Sequence, residues 1–161
     1  MRFEKISEKE YNTIKEELSH LNLISYDEIK LPKRATKGSA GYDFFSTLDC
    51  ILLPGESIKF PTGIKAIIDE DKFLMIVPRS GLGFKFRLQL DNTIGIIDSD
   101  YINSDNEGHI WIKLTNDSRE DKTVYIKANT AIAQGIIINF YKVENDNVNE
   151  VRNGGFGSTS H

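Results

Sequence analysis

His109-Ile110-Trp111-Ile112-Lys113-Leu114 alternates without a break, with Ile110, Ile112 and Leu114 on one side and His109, Trp111 and Lys113 on the other. A period of two is the mark of a strand with one face in a core and the other toward solvent. Working outward, Thr123 to Lys127 alternates too, with Val124 and Ile126 inward. Ala131 to Phe140 is more continuously apolar, which predicts a strand buried on both faces. Upstream, short runs rich in β-branched and aromatic residues are separated by the turn signals Pro54-Gly55, Pro61-Thr62-Gly63 and Asp69-Glu70-Asp71, with Asn116-Asp117-Ser118 further on. Many short strands at regular spacing, with no helix between them, predict an all-β antiparallel sandwich or barrel. One segment departs from this pattern. Residues 7 to 21 have helical spacing, with Tyr11, Ile14, Leu18 and Leu21 on one face and Ser7 and Glu10 set as a capping-box pair. The expected organisation is a short N-terminal helical extension (1–22), a β domain (23–148) and a glycine-rich C-terminal arm (149–161). The arm lacks a core pattern and is expected to be flexible without ligand.

A chain of 161 residues is one domain by length, and 39% hydrophobic with 27% charged residues suits a globular protein. The net charge of −4 argues against a direct nucleic-acid binder, which normally carries a basic face. A small anion held by local features is the better expectation. Cys50 is the only cysteine, so neither an intrachain disulfide nor a thiolate cluster can form. The three histidines, His20, His109 and His161, have no metal-ligand spacing. Apolar runs such as Phe73 to Val77 are strand-length and too short for a membrane helix. Arg2, Glu4, Lys5 and Glu8 interrupt any signal-peptide core, leaving a reducing cytoplasm as the expected compartment.

Five segments carry groups suited to chemistry. Pro78-Arg79-Ser80-Gly81-Leu82-Gly83 follows the Phe73 to Val77 strand. Glycines let backbone N–H groups approach an anion, Ser80 adds a hydroxyl donor and Arg79 a bidentate cation. An exposed turn whose arginine meets a surface carboxylate has the same sequence. Gly95-Ile96-Ile97-Asp98-Ser99-Asp100-Tyr101, preceded by Asn92, ends an apolar strand in two carboxylates, and Asp98 is suited to orienting or deprotonating a water. If that strand continues, Asp98 and Asp100 share a face; the plainer alternative is a hairpin end capped by Asp and Ser. In the arm, Phe156 between Gly155 and Gly157 offers a stacking face beside Arg152, Ser158 and Thr159. An inert tail is the competing reading. Ala40-Gly41-Tyr42-Asp43-Phe44 puts a carboxylate at a strand start, suited to a hydrated cation, and Gln134 sits inside an apolar strand where its amide needs partners. Lys30, Lys33, Arg34 and Lys37 form a basic cluster, read as a solvated loop.

Together, in this order, the five segments resemble the motifs of the homotrimeric dUTP pyrophosphatase family, over about residues 22 to 160. The resemblance implies a jelly-roll body and hydrolysis of dUTP to dUMP and pyrophosphate. It also implies a homotrimer in which each site is shared among subunits and one chain's tail closes another's site. Carried over, Asp98 positions the water that attacks the α-phosphorus, and Asn92 with the hairpin backbone around Gly95 and Ile97 reads the uracil edge. Tyr101 packs on the deoxyribose, while Arg79, Ser80 and Gly81 hold phosphates with Gln134 nearby. Phe156 stacks on uracil, with Arg152, Gly157, Ser158 and Thr159 gripping the outer phosphates. Asp43 contacts, through water, a Mg²⁺ chelated by the triphosphate. Against the family pattern, Ala131 replaces a basic residue and Asn103 replaces a glycine, with a polar insert from Ser104 to Gly108. The Arg152-to-Phe156 spacing is one residue short, and Phe84 to Arg87 also departs. The rival readings are a dCTP deaminase or bifunctional relative on the same fold, a nucleotide-sensing regulatory protein, and a purely structural jelly-roll subunit.

Overall fold

The computed structural model describes residues 1–149. Twelve strands carry the fold: β1 (Arg2–Lys5), β2 (Lys33–Arg34), β3 (Tyr42–Phe45), β4 (Cys50–Leu52), β5 (Ser57–Pro61) and β6 (Ile64–Ile67). They continue with β7 (Lys72–Pro78), β8 (Leu88–Leu90), β9 (Gly95–Ile97), β10 (Trp111–Asn116), β11 (Val124–Ile126) and β12 (Ala131–Asn139). Two helices, α1 (Glu8–Glu17) and α2 (Ser80–Phe86), interrupt them. Every strand pairing among the described residues is antiparallel. The largest sheet runs β2-β3-β12-β7-β9, a second runs β5-β10-β8, and β1-β6 and β11-β4 form two ribbons. This is the all-β, jelly-roll-like architecture expected from the sequence.

β10 follows its alternation. Ile112 and Leu114 are buried, opposite Phe60 and Ile58 on β5, while Lys113 is exposed. Each fully buried Ile or Leu contributes about 1.5–3 kcal/mol, so the alternating side chains set this strand's register. His109 breaks the expectation, being completely buried. The strand begins only at Trp111, and His109 lies in a turn closed by its N–H on Asn106 O (3.0 Å). β12 is buried only in its first half, at Ile132, Ala133 and Gly135. Its pairing with β3 stops at Gly135, and beyond that point only β7 covers its edge.

The N-terminal segment differs most from expectation. Residues 1–22, read as a helical extension, open with β1 on β6 and bury Ile6, Tyr11 and Ile14 in the same core as Ile112 and Leu114. Ser7 caps α1, its Oγ accepting the Glu10 N–H at 3.1 Å. The reciprocal half of a capping box is replaced: the Ser7 N–H goes to Glu107 Oε2 (2.8 Å), not to Glu10. α1 ends at Glu17, four residues short of the expected stop at 21.

Candidate functional site

Three of the sequence-selected segments meet on the five-stranded sheet. Asp43 on β3 stands opposite Gln134 on β12, and Gln134 stands opposite Val77 on β7, two residues before Arg79. Directly opposed residues share a face, so the three strands aim these side chains to one side. Arg79 Nε lies 3.1 Å from Asp43 Oδ1, Gln134 Nε2 donates to the same oxygen at 3.4 Å, and Arg79 Nη1 donates to Ala131 O at 3.3 Å. Asp43 is buried, only 8% exposed, and an unpaired carboxylate there would be costly. The charge of Arg79 and the amide of Gln134 offset that cost. Gly41 makes room for the arrangement: a Cβ there would lie 2.9 Å from Gln134 Oε1.

Ser80 and Gly81 do not lie on the simple turn expected from the sequence. They open α2, whose first bond is Gly83 N–H to Arg79 O (2.9 Å) and whose end is Arg87 at φ +53°. Two glycines, each costing a helix about 1 kcal/mol, hide this short helix in the sequence. Ser80 and Gly81 are exposed beside the Asp43–Arg79 pair.

The β8–β9 connection carries the other group; β8 pairs with β10 and β9 with β7, so the two strands join two sheets instead of forming the expected hairpin. Asn92, Gly95 and Ile97 line a cavity of about 330 Å³ together with Ile76, Leu90 and Trp111. In the connection between these strands Thr93 has φ +66°, a strained conformation for a β-branched residue, next to Asn92. The connection is tied to β10 by Asp91, which pairs with Lys113 and accepts from Thr115 Oγ1. Lys59, also at the cavity, lies over the Trp111 ring at 4.2 Å. Sequence reasoning missed Lys59, Ile76 and Trp111 because they come from other strands, and Leu90 because it reads only as a core residue of β8. The alternating outward position of Trp111 was the only available hint.

β9 ends at Ile97, so Asp98 and Asp100 do not share a sheet face as expected of a continued strand. Asp98 stands at the N-cap position of a 3-10 turn, Ser99–Asn103, which carries Asp100 and Tyr101. Asp98 is exposed and Tyr101 is buried (4%). Tyr101 Oη donates to His109 O (3.0 Å) and accepts from Asn106 Nδ2 (3.0 Å). His109 Nε2 accepts the Gly63 N–H at 2.9 Å, and burial pushes the imidazole down to about 3. His109 is therefore a neutral structural acceptor and not a general base near pH 7.

The site residues expected on the arm, Arg152, Phe156, Gly157, Ser158 and Thr159, lie outside the described residues. Among the described residues no group of three or more His, Cys, Asp or Glu is arranged to hold a metal, and no helix is long and apolar enough to cross a membrane.

An antiparallel β protein with an acid–arginine–amide cluster on one sheet, and a cavity between two sheets with an aspartate just past a lining strand, has the features of a small-molecule enzyme. Comparison with known proteins sharpens that class. The dUTPase family model matches residues 27–160. The deoxyuridine 5'-triphosphate nucleotidohydrolase of Lactococcus lactis subsp. lactis (strain IL1403) is 39% identical over 134 residues, covering 81% of this chain and 88% of that relative. The crystal structure of dUTPase from Streptococcus mutans superposes with a TM-score of 0.69 at 32% identity, over 89% of this chain and 99% of that one. A mutant dUTPase from phage phi11 of S. aureus, described for its coordination of a structural Mg(II) ion, matches with a TM-score of 0.63 at 25% identity, over 81% of this chain and 95% of that one. The chain belongs to the dUTPase family.

Proposed function

We propose that this chain hydrolyses dUTP to dUMP and pyrophosphate. The observation that carries the reading is the meeting of Asp43, Arg79 and Gln134, drawn from three distant segments, on one sheet whose edge strand leads into Asp98. A water held by Asp98 attacks the α-phosphorus in line; the bond to the bridging oxygen breaks, pyrophosphate leaves, and Asp98 accepts the water's proton. Asn92 and the backbone at Gly95 and Ile97 read uracil, since an incorrect base leaves a donor or acceptor unpaired. Tyr101 packs on the deoxyribose, while Arg79, Ser80 and Gly81 hold phosphates with Gln134. Asp43 fixes the Arg79 guanidinium through their ion pair. Phe156 stacks on the base, and Arg152, Gly157, Ser158 and Thr159 close over the outer phosphates.

Mg²⁺ fits this site as an ion carried by the triphosphate. The Asp43 carboxylate is already charge-paired and the described residues form no cage, which leaves Asp43 a contact through water. Such an ion neutralises charge on the phosphate oxygens.

The register of β7 supports a shared site in a homotrimer. Ile97 opposes Leu74, so Asp98 leaves the sheet near Phe73, whereas Arg79 lies past Pro78 at the opposite end. Six residues at ~3.3 Å each put these positions roughly 20 Å apart along the strand. Within one chain they cannot serve neighbouring phosphates of one nucleotide; between chains they can. Light scattering reads the assembly directly, with a trimer the expected state.

The chemistry is tested by pyrophosphate and ammonia release from dUTP and dCTP separately, with Mg²⁺. Pyrophosphate from dUTP alone is the expected result, and ammonia from dCTP identifies a deaminase instead. Asp98→Asn is expected to abolish turnover while retaining a non-hydrolysable dUTP analogue. Unchanged turnover in that variant would remove Asp98 from the mechanism.

A further inference from the structure

Two segments far apart in the sequence are joined to one another. The family match begins at residue 27, leaving β1 and α1 outside it, and the polar segment Ser104 to Gly108 follows the turn that carries Asp100 and Tyr101. Glu107 of the polar segment takes both donors of Ser7, the α1 cap: the backbone N–H at Oε2 (2.8 Å) and the hydroxyl at Oε1 (2.6 Å). Lys65 on β6 adds a charge contact at 3.6 Å. These partners hold the Glu107 carboxyl below its ordinary range, chiefly through the Ser7 hydroxyl.

The polar segment is pressed against the turn that follows Asp98. Glu107 and Gly108 both have left-handed backbone, φ +58° and +71°. A Cβ on Gly108 would lie 2.8 Å from Ile102 Cα and 3.1 Å from Tyr101 O. A second tie runs in parallel: the Ile6 N–H donates to Gly63 O (3.0 Å) and the Gly63 N–H to His109 Nε2 (2.9 Å). The Tyr101 hydroxyl ends on His109 O (3.0 Å). A left-handed non-glycine residue persists only where its surroundings over-determine it. Here the surroundings include the turn bond from the Glu107 N–H to Ser104 O (2.9 Å) and the Ser7 cap.

We propose that the N-terminal segment is a brace for the catalytic loop, with the Glu107 carboxylate as its joint and Glu107 and Ser7 as positioning residues for Asp98 and Tyr101. The inference rests on the assignment of Asp98 and Tyr101 to the hydrolytic site. Charge-assisted bonds from a carboxylate to two donors fix a loop more firmly than a single neutral bond. A small displacement of the water-holding aspartate lowers the chemical rate while leaving most substrate contacts in place.

The test is steady-state turnover of dUTP by Glu107→Gln, Ser7→Ala, Ser7→Thr and the double variant Glu107→Gln/Ser7→Ala, with Asp98→Asn as reference and thermal unfolding followed alongside. Glu107→Gln turns one acceptor into a donor facing Ser7, and its kcat is expected to fall about tenfold with KM changed less than about twofold. Ser7→Ala falls in the same direction, Ser7→Thr recovers wild-type kcat, and the double variant falls no further than Glu107→Gln, because both act through one joint. If Asp98→Asn is inactive while Glu107→Gln keeps kcat within about twofold of wild type, the brace is refuted and the site assignment stands, even where the melting temperature drops. A change in KM alone refutes it equally. Full turnover in Asp98→Asn overturns the site assignment and the brace with it.

Discussion

Acidification from pH 8 to pH 5 is expected to destabilise this protein chiefly through His109. Its imidazole is completely buried, and burial lowers it from 6.5 to about 3, with Lys59 adding to the effect and Glu107 opposing it. In the unfolded chain the ring takes its proton near 6.5; in the folded chain it does so only near 3. The unfolded state thus binds more protons through that window, so the stability is complete above 6.5 and is lost as pH falls toward 3. The slope is about 1.4 kcal/mol per pH unit, and the loss at pH 5 comes to about 2 kcal/mol. Carboxylates held low by partners, such as Glu107 and Asp117, add their own losses only at more acidic pH. His109→Gln removes the titration and keeps an oxygen acceptor for the Gly63 N–H. The assay is urea unfolding of both proteins at pH 8 and pH 5, at one protein concentration because association is coupled to stability. The other two histidines are common to both proteins and cancel. An equal pH 8-to-5 change in unfolding free energy for wild type and variant would refute the argument.

Three further outcomes follow from the site. Trp111 is the single tryptophan and lines the cavity with Asn92, so dUMP is expected to change its fluorescence saturably, and Asn92→Ala to weaken that binding about tenfold. Unchanged emission at saturating dUMP would separate this cavity from the base site. Gly41→Ala is expected to push the Gln134 amide off Asp43 and lower kcat/KM about tenfold with little loss of stability, because the nearest obstructed atom, Gln134 Oε1 at 2.9 Å, ends a flexible side chain. Wild-type kinetics there would make the pose of Gln134 irrelevant. EDTA is expected to abolish turnover, reversibly with Mg²⁺, without moving the unfolding midpoint; a large fall in that midpoint would instead indicate an ion held by the folded protein.

Much of the fold was legible because strand signals are local. The alternation from Ile110 to Leu114 defines a buried face whatever surrounds it, and five short motifs carry the family resemblance in residue type and order. Legibility ended where partners lie far along the chain. Glu10 has the right spacing to complete the Ser7 cap, but a carboxylate one hundred residues away takes the donor instead. His109 sits at an outward position of an alternating pattern and is buried because the strand starts two residues later. The two-glycine segment after Arg79 reads as a turn and folds as a helix.

By itself, then, the sequence determined residue chemistry and strand periodicity: Asp98 after an apolar strand, Arg79-Ser80-Gly81 after another, and a glycine-rich arm around Phe156. Tertiary structure alone decided that Asp43 meets Gln134 across 91 residues, that Asp98 follows β9 near one end of β7 while Arg79 lies past the other, and that Glu107 meets Ser7 across 100 residues. The difference is physical. Propensity and periodicity are carried by neighbouring residues, whereas a register is chosen by how the whole set of strands buries its apolar faces.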